Sequence, residues 1–312
     1  MTIRFVTRAQ EMLYAEALSP EAVEDPRVAL SPAERGRLLS LAYNCLGAFA
    51  DSEDVVQEAL LRLSETPQSS VNNIEAWLTT VVTRLAIDKL RSAQHQREVY
   101  PGEWLPEPVY HAPDAEQQAI ALSSLSIGLL YLLERLEPEQ RAVFVLREAL
   151  DYPYQTIAGI LGKSEAACRQ LMVRARVALD RRASAQAGTQ PAVAWALISR
   201  FSEALSKGDD VALLSILTDD AIMIADGGGK VPSILNPLYG SDRIHRFYQG
   251  LLKKLGKVFA AMPAKVNHEP GLLMFRDGQF VSVVTIEVRG DRIAALYSVS
   301  NPDKLCAFQH VR

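Results

Sequence analysis

Five side chains in the stretch EAACRQLMVRARVAL have the types and spacing to touch a nucleic acid. Arg169, Gln170, Val173 and Arg176 share one side of a 3.6-residue pattern, with Arg174 at its edge. Arg and Gln in the first turns of a helix can make paired hydrogen bonds to base edges in a major groove, and later arginines suit phosphates. Cys168, Leu171, Met172, Ala175 and Leu179 form the opposite, apolar stripe. Ser164 is a good N-cap, and Gly162 suits the end of the preceding short helix, DYPYQTIAGILG. With PEQRAVFVLREAL as a third wall, the spacing predicts a helix-turn-helix whose chemistry is readout of bases. A solvated arginine-rich face is the alternative.

Two further helical patterns carry charge in arrangements that suit binding. In DVVQEALLRL, Val55, Val56, Ala59, Leu60 and Leu63 form the core stripe, while Asp54, Gln57 and Glu58 surround an outward Leu61. An apolar residue ringed by acids is either a docking point for a basic partner helix or a plain solvated face. In AWLTTVVTRLAIDKLR, Trp77, Leu78, Val81, Leu85 and Ile87 supply core material, and Arg84, Lys89 and Arg91 supply positive charge. Such a helix edge can hold a single strand, although a structural helix is the default.

The elements that position these groups follow from the pattern of all 312 residues, a length that suggests two or three domains. A hydrophobic fraction of 48% excludes global disorder. The net charge of −4 hides an asymmetry. Residues 11–65 hold eleven acidic and four basic side chains and residues 163–182 six basic and two acidic, which implies two kinds of partner. No signal peptide is expected, and no stretch approaches the roughly 20 apolar residues that cross a bilayer. Cys45, Cys168 and Cys306 are too far apart for C-x-x-C chemistry and read as three buried apolar side chains. The expectation is a soluble cytoplasmic protein.

Residues 31–98 read as one helical domain, with Asp51 and Asn73 as caps. A linker over 99–114 contains the proline-rich YPGEWLPEPVYHAPD, and helical periodicity resumes over 115–185 in the domain with the helix-turn-helix. AQAGTQP marks a boundary before an α+β domain over 191–312, in which Asp277-Gly278 and Gly290-Asp291 sit where hairpin turns belong. Residues 1–30 are an N-terminal extension, helical or partly disordered.

DSEDVVQEALLRL, AWLTTVVTRLAIDKLRSA and the stretch from Leu136 to Leu179 resemble, in that order, the second and fourth conserved regions of extracytoplasmic-function sigma factors. These are bacterial subunits that bring RNA polymerase to promoters. Three more motifs narrow the resemblance: WLPEP (Trp104, Leu105, Pro106, Glu107, Pro108), DGGGK (Asp226, Gly227, Gly228, Gly229, Lys230) and NPDKL (Asn301, Pro302, Asp303, Lys304, Leu305). Together they look like the subgroup with a C-terminal SnoaL-like extension, and the resemblance spans about residues 31–312.

The resemblance implies a multidomain fold: two all-α sigma domains, then an α+β cone of the SnoaL-like, nuclear transport factor 2-like kind. It implies that Asp54, Gln57, Glu58 and Leu61 dock on the polymerase β′ subunit. Trp77, Thr80, Arg84, Asp88 and Arg91 would take the melted, start-proximal promoter element, and Arg169, Gln170, Val173 and Arg174 would read the upstream one. Many relatives carry Asn where this chain has Arg84, and an aromatic where it has Val173. Expected partners are core RNA polymerase, promoter DNA and a small ligand in the cone pocket, with no membrane, metal or cofactor. Some SnoaL-like relatives are isomerases or polyketide cyclases, so Asp219, Asp220, Asp226, His245 and His268 are acid–base candidates. Nothing in the sequence pairs a carboxylate with a histidine, and no enzyme is expected. The extension reads instead as regulatory, with its three motifs as interdomain contacts. The alternative is a DNA-binding regulator whose C-terminal domain binds or turns over a small ligand.

Overall fold

The computed structural model describes residues 30–110, 125–179, 191–255 and 259–308. The expectations for residues 1–29, for the end of the linker and for most of the AQAGTQP boundary lie outside the described residues.

The first helical unit contains α1 (Pro32–Leu46), α2 (Phe49–Glu65) and α3 (Ile74–Glu98). Ser31 opens α1 through a capping box with Glu34, and Gly47 closes it at φ 70°, donating to the Tyr43 carbonyl at 2.7 Å. Asn73 caps α3 as expected, accepting from the Ala76 amide at 3.0 Å. Asp51 is not a cap. Because Gly47 ends α1 early, α2 already begins at Phe49, and Asp51 sits in its first turn, paired with Lys89 of α3 at 2.9 Å.

The second unit contains α4 (Ile127–Leu133), α5 (Pro138–Phe144, continued by a π turn over Val145–Ala149), α6 (Tyr154–Leu161) and α7 (Glu165–Leu179). Gly162 ends α6 at φ 65°, and Ser164 accepts from the Ala167 amide at 3.2 Å, so the predicted turn is present. Leu63, Leu78 and Val82 of the first unit and Val143, Ile157 and Met172 of the second belong to one continuous apolar cluster.

Residues from 191 onward fold as α8 (Pro191–Lys207), α9 (Asp210–Ser215), β1 (Leu217–Asp226), β2 (Leu238–Tyr239), α10 (Ser241–Leu255), β3 (Phe259–Val266), β4 (Glu269–Arg276), β5 (Gln279–Arg289) and β6 (Arg292–Val299). The sheet order is β2-β1-β6-β5-β4-β3, antiparallel except for the β1–β6 pair. Two short 3-10 turns follow, Pro302–Lys304 and Cys306–Phe308. Cys45 and Cys168 are buried, but Cys306 is exposed in the last turn, which corrects the expectation of three buried thiols.

Alternation along the strands gives the sheet two apolar faces. Leu272, Met274, Val284 and Leu296 face Phe201 of α8 and Ile244 and Tyr248 of α10. The neighbours Leu273, Val283, Tyr297 and Val299 face the other way and are buried with Leu105 of the linker, Ile127 and Tyr131 of α4, and Phe308. The second face of the cone is therefore covered by the sigma-like half of the chain.

Candidate functional site

The predicted base-reading face of α7 is open. Gln170 and Arg174 are exposed, and Val173 is 60% exposed. Arg169 pairs with Glu165 at 2.8 Å, with its guanidinium 4.7 Å from the Tyr154 ring centre, and Arg176 pairs with Glu148 at 2.7 Å. The opposite stripe (Cys168, Met172, Ala175, Leu179) is buried, which fixes the rotation of the helix. On α2, Val55, Val56, Ala59, Leu60 and Leu63 are buried, leaving Asp54, Gln57, Glu58 and a 51% exposed Leu61 as an open acidic face.

Helix α3 is not open in the same way. It lies against α5 and α6 of the second unit. Arg84 donates through Nε to the Ile160 carbonyl at 2.9 Å. Glu139 of α5 joins the two units by pairing with Arg91 at 3.2 Å, and within its own unit it also pairs with Lys163 at 3.1 Å, while Arg91 holds Asp88 at 3.2 Å. Trp77 and Thr80 are half-buried, and Thr80 spends its hydroxyl on the Ala76 carbonyl. Among the predicted promoter-contact residues, Arg84 and Arg91 of α3 are engaged by the second unit although both stay exposed, as Asp88 does, while those on α7 face outward.

The three loop motifs converge. Asp226 is the last residue of β1, 1% exposed, and its side chain points to the linker face of the sheet. Its carboxylate accepts from the Tyr100 hydroxyl at 2.6 Å, the Leu105 amide at 2.9 Å and the Gly228 amide at 2.9 Å. Lys304 completes the set, donating to Asp226 at 2.7 Å and to the Leu105 carbonyl at 2.6 Å, with its ammonium 3.9 Å from the Trp104 ring centre. Asn301 donates to the Tyr100 hydroxyl at 2.9 Å, and Lys230 pairs with Asp303. A buried carboxylate is tolerated here because an ammonium and three hydrogen bonds replace its water. Burial beside Asp226 pushes the Tyr100 phenol upward.

Glycine is required at all three DGGGK positions, and a Cβ on Gly227 would lie 2.6 Å from the Ser233 Cβ and 2.8 Å from the Val231 carbonyl. Gly228 (φ 61°) would place a Cβ 2.3 Å from the Asn301 amide, and Gly229 (φ 68°) would place one 2.6 Å from Pro101. From Leu105 the strip continues to the first helical unit. Glu107 donates its amide to the Gly47 carbonyl at 2.8 Å, its carboxylate accepts from the Phe49 amide at 2.7 Å, and the Tyr43 hydroxyl donates to its carbonyl at 2.6 Å. Burial raises the Glu107 carboxyl, against the pull of that amide bond. Leu105, Pro106 and Pro108 are buried.

Sequence reasoning missed Asn267 and Tyr43. Asn267, in the β3–β4 turn at φ 46° and 2% exposed, accepts from the Val109 amide at 2.8 Å. It also donates to the Tyr43 hydroxyl at 2.7 Å and the Leu125 carbonyl at 3.2 Å, tying linker, first unit and second unit together. The signal was an Asn-His pair at a hairpin, where Asn tolerates positive φ.

On its helix side the cone encloses a cavity of about 1340 Å³. None of the acid–base candidates lines it. Asp219 and Asp220 pair with Arg292 and Arg289, Asp226 faces the linker, His245 pairs with Asp210 at 2.9 Å, and His268 sits in the β3–β4 turn. Among the described residues no group of His, Cys, Asp and Glu could hold a metal, and no helix is long and apolar enough to cross a membrane.

Residues 33–96 match the family model for Sigma-70 region 2, and residues 127–179 that for Sigma-70, region 4. The chain is 39% identical over 283 residues to the ECF RNA polymerase sigma factor SigJ of Mycobacterium tuberculosis, covering 86% of this chain and 90% of that one. The chain is an ECF RNA polymerase sigma factor. The probable ECF sigma factor SigI of the same species is 30% identical over 290 residues, covering 90% and 95% of the two chains. The crystal structure of the M. tuberculosis SigJ sigma factor superposes with a TM-score of 0.74 at 35% identity, over 88% of this chain and 97% of that one. ECF sigma factors are transcription initiation factors rather than enzymes, and membership implies core RNA polymerase and promoter DNA as partners.

Proposed function

We propose that this sigma factor rests in a closed form, in which the C-terminal cone holds the linker and the second helical unit covers the promoter-facing edge of α3. The observation that carries the reading is the seam itself: Arg84 on the Ile160 carbonyl, and Glu139 bridging Arg91 and Lys163. A strand of melted promoter needs the α3 edge that α5 and α6 now occupy. The Asp226 junction and the Asn267 turn support the same reading, because both fasten the linker that joins the two units.

In the open form Asp54, Gln57, Glu58 and Leu61 dock on polymerase, Trp77, Thr80, Arg84, Asp88 and Arg91 take the melted element, and Arg169, Gln170, Val173, Arg174 and Arg176 engage the upstream element. The junction residues of WLPEP, DGGGK and NPDKL set the balance between the two forms. A coupling of about 1–3 kcal/mol changes activity roughly 5- to 150-fold.

The test is in-vitro transcription with core polymerase on the promoter region upstream of the protein's own gene, comparing the intact chain with Asp226→Ala and Lys304→Met. Point changes suit the question better than removing residues from Asn301 onward. Phe308, buried and stacked on Phe280 at 5.2 Å, would be lost with the tail and would open the core. Higher transcription by both variants is expected. Activity equal to that of the intact chain, at equal folding and polymerase occupancy, removes the closed-form reading.

A further inference from the structure

The cone cavity lies on the helix side of the sheet and includes none of the residues assigned to polymerase or promoter. Its walls mix apolar side chains, among them Met223, Phe247, Met274 and Phe280, with the polar groups of serines 233, 282, 298 and 300 and Gln279. Tyr248 also lines it, and the Tyr248 hydroxyl is buried with no hydrogen-bond partner among the described residues. An unsatisfied buried hydroxyl costs stability unless a ligand or water meets it. The charged residues of the lining are all cationic: Arg246 and Lys254 of α10 and Arg276 at the end of β4, each exposed and therefore at the mouth. Arg246, Gly250 and Lys254 follow at intervals of four, so they fall along one side of α10, with the glycine between the two cations. A Cβ on Gly250 would meet nothing within 4 Å.

We infer that this cavity binds an amphipathic anion: an apolar body held inside the cone, with one carboxylate-like head at the Arg246–Lys254–Arg276 rim. A cation is repelled at the mouth, where no acid lines the cavity, and the serines can take the polar groups of an otherwise apolar body. The volume exceeds what most drug-sized ligands fill, so a long acyl chain or a flat polycycle fits without remodelling.

The occupant would also touch the fastening of the linker. Pro302 and Leu305 of NPDKL line the cavity, as do Val231 to Ile234, the loop that follows DGGGK. Ser300, on the same wall, donates its amide to the Asp226 carbonyl at 2.8 Å. Filling the cavity therefore acts on the loops that hold Asp226 against Leu105. This coupling rests on the closed-form reading; the binding itself does not.

The experiment is titration calorimetry of the full chain with laurate and with 1-pyrenebutyrate, beside dodecyltrimethylammonium as a cation with a laurate-like tail. At least one anion is expected to bind, and the cation to bind at least about tenfold more weakly. The triple variant Arg246→Gln, Lys254→Gln, Arg276→Gln, altered only at exposed positions, should weaken anion binding roughly tenfold. Gly250→Leu, which adds side chain where there is open space, should weaken it without unfolding the helix. Failure of both anions to bind, equal binding of the cation, or unchanged binding in either variant overturns the assignment. Asp226→Ala separates the two ideas, since its side chain faces away from the cavity. It should still bind the anion even if its transcription shows the closed-form reading to be wrong. For the coupling, hydrogen exchange at the Leu105 amide should change when the anion binds, and an unchanged rate removes that part.

Discussion

Asp226 and Lys230 stand four residues apart in one motif, yet physics assigns them unequal weight. Asp226→Ala removes the counter-ion of Lys304 and the acceptor of the Leu105 amide in a site that is almost wholly buried, and breaking a buried pair from one side costs about 3–5 kcal/mol. Lys230 pairs with Asp303 where the two side chains are 52% and 62% exposed, a pair worth about 0–1 kcal/mol. Denaturant unfolding of the two variants should show that difference, and comparable losses would mean that Asp226 is not the centre of the junction. A second residue-scale prediction concerns Glu269. Burial, with help from Glu287, pushes its carboxyl from 4.5 up to about 7. The folded state thus holds a proton that the unfolded state releases. The stabilisation is fully present below about 4.5 and is lost as pH rises through about 7. Glu269→Gln should flatten the fall in melting temperature across that window, and an identical pH profile would locate the proton elsewhere.

Among the elements, α7 and α2 were the most legible in the sequence, because an amphipathic helix announces its buried stripe through 3.6-residue spacing. The stripe from Val55 to Leu63 is buried as read, that from Cys168 to Leu179 is buried except for the half-buried Leu171, and the opposite faces are exposed. Arg169→Ala with Gln170→Ala should weaken specific promoter binding by about 1–3 kcal/mol per lost base contact while leaving polymerase binding intact, as a gel-shift series and co-elution would report. Glu58→Lys or Leu61→Asp should abolish co-elution with core polymerase at unchanged circular dichroism, since both side chains point outward. Elements without a clean period were missed. β3, FAAMPAKV, carries a proline and four alanine or methionine residues, a weak strand signal, and it folds because β4 pairs along its whole length while its other side is an edge. The Asp51 cap failed for a related reason: the glycine that ends α1 lies in an apolar run that reads as continuous helix.

At the scale of the molecule, what the sequence could not convey is which surfaces meet. The three loop motifs were recognisable as motifs, but only the fold brings Leu105, Asp226 and Lys304 together, and nothing in the local pattern around Asn267 or Tyr43 reports a partner more than a hundred residues away. The seam on α3 is likewise a property of the whole. Glu139→Lys would turn the ion pair across the seam, with Arg91, into a repulsion, roughly 1 kcal/mol against closure. Small-angle scattering should then give a larger radius of gyration and transcription should rise, whereas an unchanged radius would mean that the units are held by apolar packing alone.

The strip from Tyr100 to Val109 finds its partners at Asp226, Asn267 and Lys304, all on the far side of the helix-turn-helix in chain order. A ribosome therefore delivers both helical units, and the seam between them, before it has made the groups that fasten the linker to the cone. At ordinary elongation rates the missing stretch takes on the order of ten seconds to appear. If the cone restrains the sigma units as proposed, each newly made molecule would pass through an interval without that restraint, and a burst of synthesis would itself raise transcription.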